Sequence, residues 1–110
     1  MQQSLKKYAV VSTCTLNQWC LSFEQNKQNI IKSIEIAKAA GATYRLGPEL
    51  EISGYGCEDH FSEMDTIRHS WEALADILKI KHLTQDIIVD IGMIVFFKNT
   101  FYNCRIMCLN

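Results

Sequence analysis

The sequence predicts an α/β fold, and three observations predict it. A helical stretch with one apolar face lies between two short segments that read as strands, a second amphipathic helix follows, and a long apolar run near the end is joined by a turn to a return strand. Strand, helix, strand in that order implies parallel neighbours in one sheet. The 110 residues are 48% apolar, enough for a modest core in a single domain.

Tyr8 to Thr13 is short and β-branched and precedes polar residues, which predicts a buried strand. Ser22 is a candidate N-cap with Gln25 three residues on, the spacing of a capping box. Phe23, Ile30, Ile31, Ile34 and Ala37 then recur at helical steps, with Lys27, Gln28, Lys32 and Glu35 on the opposite face, and Gly41 offers the left-handed stop. Ala42 to Leu46 reads as the second strand, ended by Gly47-Pro48 because proline lacks a ladder donor. Leu50 to Phe61 holds no sustained period and reads as a loop. A second helix is expected over Ser62 to Lys79, with Ile67, Trp71, Leu74, Ala75 and Leu78 inward. Ile87 to Phe97 is apolar enough for a strand covered on both faces, Lys98-Asn99-Thr100 is a turn, and Phe101 to Leu109 returns as its hairpin partner.

Several functions are excluded by composition. Eleven basic and twelve acidic residues leave a formal charge of -1, without the cationic excess that draws nucleic acid or acidic lipid, and no apolar run approaches the roughly 20 residues of a membrane span. Met1 to Lys7 places two lysines before an apolar stretch, but that stretch is too short for a secretory signal. Five irregularly spaced cysteines, Cys14, Cys20, Cys57, Cys104 and Cys108, with no N-x-S/T acceptor, point to a reducing, cytoplasmic setting. Only Cys57-x-x-His60 has metal-ligand spacing, and without a second pair no metal site is expected. No glycine-rich phosphate loop occurs, so ATP or dinucleotide binding by these residues is not expected either.

What remains is the run from Gly47 to His60. Glu49 follows the carboxyl end of a predicted parallel strand, where open α/β sheets gather functional groups. A glutamate in such a loop is otherwise solvated or paired with a nearby cation such as Arg45.

Pro48-Glu49-Leu50 followed by Gly54-Tyr55 resembles the P-E-L-x-x-x-G-Y signature of nitrilase-like carbon–nitrogen hydrolases. Leu16-Asn17-Gln18-Trp19, Phe23-Glu24, Asn26, the run Tyr44 to His60, Thr84-Gln85-Asp86-Ile87, Asp90-Ile91-Gly92-Met93 and Tyr102-Asn103-Cys104-Arg105 narrow the resemblance. They resemble the N-terminal amidase domain of eukaryotic glutamine-dependent NAD synthetases.

That resemblance implies a partial four-layer α-β-β-α sandwich over residues 1–110. It also implies that Glu49 is the general base of a Glu-Lys-Cys triad and that Tyr55 lines a glutamine pocket. The triad's lysine and cysteine fall outside the 110 residues, and none of the five cysteines nor Lys98 matches them, so this chain alone is expected to be inactive. The implied full-length protein hydrolyses glutamine and delivers ammonia to adenylated deamido-NAD, using ATP and Mg in a synthetase domain absent here, and leaves room for a homo-oligomer. Two other readings stand beside it: a non-catalytic truncated isoform acting as an interaction module through its unpaired last strand, and a segment of another nitrilase-like amidase.

Overall fold

The computed structural model describes residues 8–110, so the charged start Met1 to Lys7 lies outside the described residues. A four-stranded sheet in the order β1-β2-β3-β4 is formed by Val11–Thr13, Tyr44–Leu46, Ile88–Phe97 and Thr100–Cys108. The first three strands are parallel and the last is antiparallel to β3. Helices α1 (Phe23–Ala39) and α2 (Met64–Lys79) pack together on one face, over a core that includes Ile30, Ile34, Leu74, Ile77, Val89, Ile91 and Met93. One sheet and one helical layer are two of the four layers that the resemblance implies. No helix among the described residues is long and apolar enough to cross a membrane.

β1 corrects the first expectation. It is three residues long rather than six, and Val11 is exposed, because among the described residues β1 is a sheet edge with β2 on one side only.

α1 begins after Ser22 as expected, but the capping box does not form: Ser22 makes no side-chain cap bond, and Gln25 turns instead to Asn29 along the helix. Its end is a Schellman motif. Gly41 takes φ +84°, its N–H donates to Lys38 O and that of Ala42 to Ala37 O, both at 3.0 Å, which satisfies two carbonyls the helix leaves open.

α2 starts two residues later than predicted, after a 3₁₀ turn over Glu58–Ser62, and it is rotated relative to the expected face. Thr66, Ile67, Ser70, Ala73, Leu74 and Ile77 are buried, whereas Trp71 and Leu78 remain 44% and 41% exposed. Small residues make this rotation possible, since Ser70 and Ala73 let the helix approach closely and the Ser70 hydroxyl donates back to Thr66 O at 2.8 Å.

The hairpin turn is shorter than predicted. Lys98 and Asn99 alone connect β3 to β4, with φ of 49° and 61°, the left-handed pair of a type I′ turn whose twist suits a hairpin.

Candidate active site

β2 ends at Leu46, and the chain then crosses the end of the sheet as Gly47-Pro48-Glu49-Leu50-Glu51 beside β3. Gly47 N donates to Asp90 O at 3.0 Å and Glu51 N to Gly92 O at 3.2 Å, so the loop continues the ladder that β2 has left. Gly92 is required at this crossing. A Cβ there would lie 1.9 Å from Glu49 O and 2.4 Å from Pro48 O, both backbone atoms that cannot swing aside.

The loop is anchored underneath by a charge pair that the sequence pattern does not predict. Arg45 pairs not with Glu49 but with Glu51, through Nη2 to Oε1 at 2.6 Å and Nη1 to Oε2 at 3.1 Å, and both side chains are 0% exposed. Two charges taken out of water need every remaining polar atom satisfied. Ser33 Oγ accepts from Arg45 Nε and Nη2, Asp90 O accepts from Nη1, and Gly92 N donates to Glu51 Oε2. Burial pushes the Glu51 carboxyl above its ordinary value, against the pull of the Arg45 guanidinium.

From above, β4 grips the same loop. Asn103 and Arg105 are two residues apart and therefore share a face. Arg105 Nη1 donates to Pro48 O and Nη2 to Gly47 O, both at 2.9 Å, while its Nε donates to Asp90 Oδ1 at 2.8 Å. Asn103 Nδ2 donates to Glu49 Oε2 at 2.7 Å. Tyr44 donates its hydroxyl to the second oxygen of Asp90, and that bond holds the phenol above its ordinary value.

Glu49 thus stands at the carboxyl end of β2 with its side chain exposed on the sheet face opposite the helices. Tyr55 comes back beside it, its hydroxyl accepting the Leu50 N–H at 3.2 Å, with the ring half exposed. The two predicted site residues are therefore neighbours, joined through the Leu50 backbone. A separate concavity of about 300 Å³ lies between the end of β1 and α1, lined by residues including Cys14, Asn17, Asn29 and Lys32, and Glu49 is not on it.

A second network explains why the block Leu16 to Trp19 and Asn26 accompany this loop. Asn26 is fully buried in α1, accepts from Trp19 N at 3.0 Å and donates to Trp19 O at 2.8 Å and to Ile52 O at 3.0 Å. Gln18 Nε2 donates to Glu51 O at 2.6 Å. One amide side chain in α1 and one before it fix the backbone on the far side of Glu51.

The chain is 59% identical over 104 residues to the glutamine-dependent NAD(+) synthetase of Dictyostelium discoideum, covering 94% of this chain and 15% of that protein. It is 60% identical over 100 residues to that of Homo sapiens, covering 91% and 14%. The chain therefore spans about one seventh of the length of these relatives. Among solved structures, a glutamine-dependent NAD(+) synthetase from Cytophaga hutchinsonii superposes with a TM-score of 0.83 at 32% identity, over 91% of this chain and 17% of that one. That of Acinetobacter baumannii, solved with ADP, shares the fold at a TM-score of 0.74 and 22% identity, over 84% and 17%. The family model for carbon–nitrogen hydrolases matches residues 10–110. With the family's model extending over nearly all of its length, the chain belongs to the carbon–nitrogen hydrolases.

Proposed function

We propose that this chain is the N-terminal part of the glutamine-hydrolysing domain of a glutamine-dependent NAD synthetase, and that Glu49 is its general base. One observation carries the reading: a carboxylate at the end of a parallel strand, held by Asn103 at 2.7 Å and on a loop whose carbonyls Arg105 fixes. Such a carboxylate is oriented before any substrate arrives, and its second oxygen, Oε1, is left for a thiol. A neutral thiol attacks an amide poorly, so a base that takes its proton is what this chemistry needs.

In the proposed reaction a cysteine thiolate attacks the side-chain amide of glutamine, ammonia leaves, and water releases glutamate from the thioester. Glu49 accepts the thiol proton and gives it to the departing nitrogen. Tyr55, tethered to Leu50 N, forms a wall of the glutamine pocket next to the base. The cysteine and the lysine that holds the oxyanion come from sequence outside these 110 residues, as do the groups that use ATP and Mg to amidate deamido-NAD. In this reading the 110 residues alone do not turn over glutamine, and the five free thiols fit a cytoplasmic protein.

The test is a chimera in which this chain replaces the matching segment of the Dictyostelium relative. It should release ammonia from glutamine, and Glu49→Gln should abolish that release while the isolated chain releases none. Undiminished ammonia release from the Glu49→Gln chimera overturns the assignment.

A further inference from the structure

Asp90 is a carboxylate to which the proposed reaction gives no task. Its neighbours on β3, Val89 and Ile91, belong to the core beneath the helices, so Asp90 faces the other side of the sheet, where its side chain is nevertheless only 4% exposed. Both of its oxygens are taken. Arg105 Nε on β4 donates to Oδ1 at 2.8 Å, and the Tyr44 hydroxyl on β2 donates to Oδ2. Arg105 then reaches the loop with its two terminal nitrogens, Nη1 to Pro48 O and Nη2 to Gly47 O, both at 2.9 Å. Those are the two carbonyls that immediately precede Glu49. Gly92 stands opposite Arg105 in the hairpin register, so no side chain at that position of β3 separates the guanidinium from the loop.

We propose that Asp90 and Tyr44, neither of which bonds to Glu49, are positioning residues for the amide hydrolysis: they hold Arg105 in the orientation that fixes the backbone from which Glu49 projects. The inference rests on the reading of Glu49 as general base and extends it to two residues on the strands beneath. A guanidinium is a planar fork, and it grips two carbonyls only while its plane is set. Arg105 is 33% exposed, so water competes for its N–H groups, and the charge-assisted bond from Nε to a buried carboxylate keeps the fork on the loop. Nη2 also meets Asp90 O at 3.1 Å, so the side chain and the backbone of one residue set the fork together. Tyr44 acts one step further out, occupying the Asp90 oxygen that Arg105 Nε does not use and thereby fixing the rotation of the carboxylate. A displacement of about 1 Å at a reacting group costs on the order of 10²-fold in rate even when its cause lies far from the chemistry, so partial loosening of the loop should cost about tenfold.

The experiment measures kcat and KM for ammonia release from glutamine in the chimera with the Dictyostelium relative, with Glu49→Gln as the reference. Asp90→Asn keeps the shape and removes the charge, and it should lower kcat about tenfold with KM unchanged. Tyr44→Phe removes only a hydroxyl from a half-buried ring. It should lower kcat roughly threefold, and it keeps the test open if Asp90→Asn does not fold. Because Asp90 acts through Arg105, Asp90→Asn should cost nothing further in a chimera already carrying Arg105→Gln, whereas a merely structural role would multiply the two losses. Undiminished release from Glu49→Gln removes the base reading, and the roles of Asp90 and Tyr44 fall with it. With Glu49→Gln inactive, three results would each overturn those roles alone: an unchanged kcat in Asp90→Asn and Tyr44→Phe, losses confined to KM, or multiplication by Asp90→Asn of the loss that Arg105→Gln causes.

Discussion

Asn103 Nδ2 donates to Glu49 Oε2 at 2.7 Å across 54 residues of sequence, so the β3–β4 hairpin reaches back to orient a carboxylate set down after β2. A general base contributes about 10² to 10⁴ in rate, which sets the loss expected for Glu49→Gln in the chimera if Glu49 has the proposed role. A hydrogen bond to a charged group is worth about 1.5–3 kcal/mol, so Asn103→Leu should lower kcat roughly tenfold or more. In the proposed reaction Asn103 would act through Glu49 as a positioning residue, and KM for glutamine should stay close to the unsubstituted value. A loss seen only in KM would place Asn103 in substrate binding instead.

Gly92→Ala tests the crossing of loop and strand. Its new methyl would stand 1.9 Å from Glu49 O, and backbone on both sides must shift. Overpacking of this kind costs about 1–3 kcal/mol. The substitution should lower the unfolding free energy by that amount, read as a lower urea midpoint, and displace Glu49 from Asn103, seen as a shifted Asn103 side-chain amide signal in NMR spectra. An unshifted midpoint and amide would mean that the loop does not lie against Gly92.

The Arg45–Glu51 pair predicts an asymmetric mutational cycle. Removing one partner leaves the other charge buried, so Arg45→Met or Glu51→Leu alone should cost about 3–5 kcal/mol. The double substitution should cost clearly less than the sum, because no charge is then stranded. Additive losses in chemical denaturation would show that the two side chains do not act as a unit.

Much of the fold was legible because its periods are strong. The apolar repeat from Ile30 to Ala37, Gly41 as the stop, and the run ending at Phe97 each match an observed element. β1 is shorter and more exposed than its residues predict, since burial of a short strand depends on what lies beside it and Val11 has no outer neighbour among the described residues. The position of Glu49 at a strand end was readable from Gly47-Pro48, and its adjacency to Tyr55 from the motif. The residues around it were not, because Asn103, Arg105 and Asp90 reach the loop through strand register, which no local pattern encodes. Arg45 pairs with Glu51 and not Glu49 for a related reason: the two glutamates are two residues apart, and only the path of the loop over Gly92 decides which one turns inward.

The α2 face can be tested by paired truncations. Ile77 is fully buried, so Ile77→Ala should cost about 2–5 kcal/mol, whereas Leu78→Ala, at a side chain 41% exposed, should stay within about 0.5 kcal/mol. Urea denaturation of the two variants distinguishes the observed rotation from the one expected from Trp71 and Leu78, which would reverse the order.

Lys27 joins the two helices, its Nζ lying 3.0 Å from both Glu24 and Asp76. Hydrogen bonds from Gln28 and Lys27 hold the Glu24 carboxyl below its ordinary 4.5, and Lys27 holds Asp76 below 3.8. Both acids are more readily protonated in the unfolded chain, so their contribution is complete above those ordinary values and is lost as pH falls through the folded ones. Lys27 itself is raised above 10.5 by Glu24 and Asp76, and its contribution fades only as pH rises through that higher value. Because the carboxylates are exposed, the effect should be small and weakened by salt. Lys27→Met should therefore flatten the fall in urea midpoint between neutral and acid pH without changing its slope near pH 7. An acid limb equally steep in the variant would mean that Lys27 does not couple the helices.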